Sequence, residues 1–109
     1  MATALKVLGQ QKPAATTPAD LYTVPALKSA VVSSLSVCNQ AGTATTFRIS
    51  VSVGGGATAA KDYLFYDHPL APNETFIATI GASVAAGDII RVYDGSGNVS
   101  FSAFGQEIS

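Results

Sequence analysis

The sequence predicts an all-β protein, a single β-sandwich or jelly-roll-like domain of about seven antiparallel strands preceded by an extended N-terminal arm. Three observations carry that expectation. Apolar residues recur at period two, most cleanly in Phe47-Arg48-Ile49-Ser50-Val51-Ser52-Val53. Clusters of Gly, Pro, Asn and Asp interrupt the pattern at regular spacing. No stretch carries a convincing helical period, a heptad or an internal repeat. At 109 residues the chain fits one domain, able to bury roughly 65% of its unfolded surface.

The elements follow in order. Residues 1–19 form the expected arm, and residues 20–109 the sandwich. Gln10 to Ala19 is rich in Ala, Thr, Pro and Gln, and Pro13 and Pro18 discourage a helix. Ala4, Leu5, Val7 and Leu8 give the arm its apolar residues. Leu21-Tyr22-Thr23-Val24 reads as a short strand stopped by Pro25. Ala30 to Asn39 is the next, with Val31, Leu35 and Val37 on one face and Ser34, Ser36 and Cys38 on the other. Asn39 to Thr43 reads as a turn. The strand from Phe47 directs Phe47, Ile49, Val51 and Val53 inward and ends at Gly54-Gly55-Gly56.

Ala60 to Asp67 is expected as a strand broken by His68-Pro69, and Pro72-Asn73-Glu74 as a turn. Thr75 to Ile80 places Phe76, Ala78 and Ile80 on one face. Ala86-Gly87-Asp88 leads into Ile89 to Tyr93. Asp94-Gly95-Ser96-Gly97 is the strongest hairpin signal, and Asn98 to Phe104 closes the pattern.

Composition excludes several function classes. Charged residues make up 12% and hydrophobic ones 48%, with a net charge of −1. Such a chain is not disordered for most of its length. It has no basic footprint for nucleic acid and no cationic face for a membrane. No run reaches the ~18 apolar residues of a membrane span, and Met1 to Gly9 makes a poor signal peptide. One cysteine leaves no internal disulfide, and one histidine leaves no His-pair metal site. No cofactor is expected.

The candidate chemical groups have plain structural readings. Cys38 reads as a buried thiol, and His68 is the lone base that could activate it. Asp62, Asp67, Asp88 and Asp94 could pair as acid and base, but Asp88 and Asp94 stand in turns, where aspartate caps backbone groups. Gly54-Gly55-Gly56 lacks the GK[ST] ending of a phosphate loop. The triplets Asn73-Glu74-Thr75 and Asn98-Val99-Ser100 read as turn residues rather than glycan acceptors. The tyrosines read as core or interface side chains.

Several phrases occur together in a telling order. They are Leu21-Tyr22-Thr23-Val24-Pro25-Ala26, Ser36-Val37-Cys38-Asn39, Thr46-Phe47-Arg48-Ile49-Ser50-Val51, Tyr63-Leu64-Phe65-Tyr66-Asp67, Pro72-Asn73-Glu74-Thr75-Phe76, Ala86-Gly87-Asp88 and Phe104-Gly105-Gln106-Glu107-Ile108. The set resembles small β-rich virion structural proteins of tailed bacteriophages, cyanophages among them, over about Leu21 to Ile108. Leu27 departs from the glycine associated with the first phrase.

The resemblance implies a non-enzymatic particle component with no functional site to carry over. The expectation is a capsid cement or decoration protein in the virion, made in the host cytoplasm. Its partners would be other phage structural proteins, capsid protein first, and it would form a homo-oligomer such as a trimer. The alternatives are a tail, baseplate or fibre module, and a receptor- or carbohydrate-binding sandwich using exposed tyrosines. The expected assembly contacts are Leu5, Val7 and Leu8 in the arm, with Tyr66 and Tyr93 on the sandwich.

Overall fold

The computed structural model describes residues 2–109. Its strands are β1 (Thr3–Gln11), β2 (Ala19–Thr23), β3 (Ser29–Asn39), β4 (Thr45–Ser52), β5 (Tyr63–Leu70), β6 (Thr75–Ala85), β7 (Ile89–Asp94) and β8 (Val99–Ile108). Two 3-10 turns, Val53–Gly55 and Ala60–Asp62, lie between β4 and β5. The strands make two four-stranded antiparallel sheets, sheet A in the order β1-β8-β3-β6 and sheet B in the order β2-β7-β4-β5. Each strand of the first half pairs with its counterpart in the second: β1 with β8, β2 with β7, β3 with β6, β4 with β5. The chain is one long antiparallel ribbon wound into a sandwich, which is jelly-roll connectivity.

The core lies between the sheets. Sheet A contributes Val32, Leu35, Val37, Val99, Phe101 and Ala103; sheet B contributes Phe47, Ile49, Ile90 and Val92. Phe47 is fully buried, its ring 5.9 Å from that of Phe65, 5.8 Å from Phe76 and 6.2 Å from Phe101. These tilted and edge-on contacts suit the aromatic quadrupole and bind β4, β5, β6 and β8 into one cluster.

Sheet A bends at one level. The register shifts between Val7 and Gly9 on β1 and between Val32 and Ser34 on β3, where β6 also carries Gly81 with φ 58°. A bulge reverses which residues face inward. Ala30 and Val32 therefore face the core before the bulge, and Leu35 and Val37 after it. Val31, expected on one face with Leu35 and Val37, lies on the outer face for this reason, opposite to them.

Other expectations are corrected. The strands number eight. The additional one is β1, inside residues 1–19: the expected arm is an integral strand hydrogen-bonded along β8. Its alternation is hard to read because Leu8 alone in β1 is buried. Met1 lies outside the described residues. Val53 turns into a 3-10 turn and is exposed, whereas Ser50 and Ser52 are buried under a loop that crosses sheet B. His68-Pro69 does not end β5, since proline is tolerated on an edge strand.

Asp94-Gly95-Ser96-Gly97 is not a hairpin turn, because β7 and β8 belong to different sheets. It is a corner held by Asp94, whose Oδ2 accepts from the Ser96 and Gly97 N–H groups at 3.0 and 2.8 Å and from the Ser96 hydroxyl at 2.9 Å.

Candidate interaction surfaces

The acidic side chains are committed to the scaffold. Asp88 accepts from the Gly54 and Ala85 N–H groups, each at 2.8 Å, and those two bonds hold its carboxyl below the usual range. Asp62 is held low in the same way, first by the Ala59 N–H at 2.8 Å and then by Lys61. Glu74 accepts from the Ala71 N–H at 2.7 Å. Asp20 and Asp67 pair with Arg91 and Arg48. Every one of the seven acidic side chains has a protein partner.

Cys38 and His68 do not meet. Cys38 lies on the outer face of β3, opposite Thr75, while the His68 ring stacks 4.6 Å from Phe76 on the inner side. Sheet A separates them. Among the described residues, no three His, Cys, Asp or Glu side chains are grouped to hold a metal ion.

The outer face of sheet B is polar and satisfied by its own contacts. The Arg48 guanidinium lies between Tyr66 and Tyr93, 4.3 and 4.6 Å from the ring centroids, and donates to Asp67 at 2.6 and 3.3 Å. Tyr63 meets Tyr66 edge-on at 4.9 Å. Arg91 donates to Asp20 at 3.1 Å, to the Ser52 hydroxyl at 2.9 Å and to the Gly56 carbonyl at 2.6 Å. The cleft among Arg48, Ser50, Tyr63, Arg91 and Tyr93 has a volume of about 40 Å³, far below the roughly 300 Å³ at which small-molecule sites begin. Both cations are already paired, so the cleft has no unmatched charge to offer a ligand.

The outer face of sheet A differs. Strand register sets it out in rows: Leu5, Gln106, Val31 and Ser83; then Val7, Phe104, Ser34 and Thr79; then Gln10, Ser102, Ser36 and Ile77. None of these rows carries a charge. Leu5 is 82% exposed, Ile77 66%, Val7 47% and Phe104 38%. Lys6 and Glu107 belong to the opposite face, where they pair with each other at 3.2 Å.

The predicted contact residues are thus divided. Leu5 and Val7 stand on this uncharged face, Tyr66 and Tyr93 on the far side of the molecule around Arg48, and Leu8 is turned into the core by the β1 bulge. Ile77, Phe104 and Val31 were missed. The period-two pattern does place Phe104 in phase with Ser100 and Ser102, and Ile77 out of phase with Phe76 and Ala78. The bulge hides Val31.

The fold and surfaces define an eight-stranded jelly-roll sandwich with one charged and one uncharged outer face. Comparison with known protein families, curated proteins and solved structures finds no match to this chain.

Proposed function

We propose that this protein is a non-enzymatic structural component of a bacteriophage particle, a cement or decoration protein that packs against capsid protein through the outer face of sheet A. The observation that carries the reading is the absence of charge, among the described residues, from the rows of that face together with the exposure of Leu5, Val7, Ile77 and Phe104. An uncharged face on which exposed apolar side chains alternate with hydroxyl and amide groups suits burial against another protein. The resemblance of the ordered phrases to small virion proteins supplies the setting, and the jelly roll is an architecture that capsid components use. Fold alone does not imply function. The engagement of every carboxylate in scaffold bonds supports a packing role over catalysis.

A tail, baseplate or fibre module would use the same face and differ in copy number. The receptor- or carbohydrate-binding reading has less support, because Arg48 covers one face of each of the Tyr66 and Tyr93 rings.

Cryo-electron microscopy of particles carrying this chain tests the proposal. Many copies over the capsid, with Leu5 and Phe104 at the contact, are expected. A few copies at the neck or tail tip would replace cement with tail module, and absence from the particle would overturn the virion role. A Leu5→Asp, Val7→Asp double variant should fold normally yet fail to decorate.

A further inference from the structure

A two-sheet sandwich has four edge strands, here β1 and β6 in sheet A and β2 and β5 in sheet B. Edge strands invite pairing, and soluble proteins blunt them with charge, proline, bulges or short length. Three of these edges are protected. β1 carries Lys6 and a bulge and closes on β2, so tightly that a Cβ at Gly9 would sit 2.0 Å from the Leu21 carbonyl oxygen. β2 has only five residues. β5 contains Pro69 and is broken in register near Asp67, whose φ is 49°.

β6 is the exception. It has eleven residues, TFIATIGASVA, with no charge and no proline. Among the described residues it pairs with β3 alone, and it stays in regular register from Thr75 to Thr79 before the glycine kink at Gly81. The side of the sandwich beside it is also unfinished. Between β5 and β6 the gap is filled by side chains: Phe65, His68 and Phe76, with ring centroids 4.6 to 5.7 Å apart, all only partly buried.

We propose that the β6 edge docks a second copy of this chain, with the two β6 strands antiparallel about a twofold axis through Ile77. The occupant follows from the charge and register of the strand. An uncharged edge meets itself without opposing like charges, and a twofold contact requires a self-complementary surface. With Ile77 on the axis, Thr75 faces Thr79 of the second copy and Phe76 faces its Ala78. Outer-facing residues then oppose outer-facing ones, and a large inner side chain meets a small one. The two sheets A become one continuous eight-stranded sheet, with the Phe65, His68 and Phe76 rings of both copies brought to the seam. Main-chain hydrogen bonds supply affinity, as in other strand additions. This inference concerns an edge and stands independently of the role proposed for the face.

Sedimentation of the full chain across a concentration series tests it. A species of twice the chain mass is expected, reverting to monomer in Ile77→Lys and Thr79→Lys with circular dichroism unchanged. Ile77→Cys in a Cys38→Ser background should form a disulfide-linked dimer under mild oxidation, because facing residues across an antiparallel pair lie within disulfide reach. Leu5→Cys in the same background, on the far edge, should not. A monomer at every concentration, a trimer, a dimer indifferent to both lysines, or equal cross-linking through Leu5→Cys would each overturn the proposal.

Discussion

The hydroxyl of Tyr22 donates a 2.6 Å hydrogen bond to Oε2 of Glu107. Tyr22 lies on β2 in sheet B and Glu107 on β8 in sheet A, so the bond joins the two sheets. Lys6 on β1 reaches the other carboxylate oxygen at 3.2 Å, and Lys28, between β2 and β3, approaches to 3.7 Å. Glu107 is 6% exposed. A charge so buried is retained only when paired and hydrogen-bonded. Tyr22→Phe removes the shortest of these bonds while keeping the ring. It should cost about 1.5–3 kcal/mol, the range for a hydrogen bond to a charged group, as read by urea unfolding at neutral pH. A loss below the error of that measurement would show that the lysines alone suffice.

The same cluster predicts the pH dependence of stability. Glu107 is held below the usual carboxylate range, chiefly by the Tyr22 hydroxyl and then by Lys6, and Asp88 is held low by two backbone N–H groups. A depressed carboxylate stabilises the fold above its unfolded pKa and ceases to do so as pH falls through its folded value. Melting temperature should therefore hold steady above about pH 5 and decline below about pH 4. Glu107→Gln should flatten part of that decline. Tyr22 behaves in the opposite sense, its phenol pushed up first by burial and then by Glu107. Its contribution is complete below about pH 10 and is lost above it as the unfolded chain ionises. An acid limb unchanged in Glu107→Gln would remove Glu107 from this account.

Strand β1 gives a contrast between neighbouring residues. Leu8 is 9% exposed and Leu5 82%. Leu8→Ala should cost about 2–5 kcal/mol as a core truncation, whereas Leu5→Ser should change stability by no more than about 0.5 kcal/mol. Deleting residues 2–11 should destabilise the whole domain by stripping β8 of one of its two partners and leaving it paired with β3 alone. A domain that melts unchanged after that deletion would restore the segment to the status of a separable arm.

The centre of the core should be the most sensitive. Ile49→Ala should cost about 2–5 kcal/mol and Phe47→Ala about 3–5 kcal/mol, since both side chains are fully buried. Phe47→Ala should also loosen Phe65 and Phe76, which its ring touches. Thermal melts and the near-ultraviolet signal of the remaining aromatic residues measure both effects.

Period-two alternation, by itself, determined that this chain is an all-β sandwich and identified part of its core: Phe47, Ile49, Ala78, Ile90, Val92, Val99, Phe101 and Ala103 are buried as their spacing implies. Turn chemistry at Asn73 and Gly87 was equally legible, because a positive φ is a local property that local residue type reports. Tertiary structure alone decided the rest. Bulges at Leu8 and Ser33 changed which residues faced inward, and a bulge exists only between paired strands. The Asp94 turn has the residues of a hairpin yet links two sheets, since no turn specifies which strand its successor will meet. β1 shows no apolar period because its place is held mainly by hydrogen bonds to β8, and backbone groups leave no mark on side-chain pattern. The division of Leu5, Val7, Tyr66 and Tyr93 between opposite surfaces arose in the same way, from the order in which the ribbon wound its strands into two sheets.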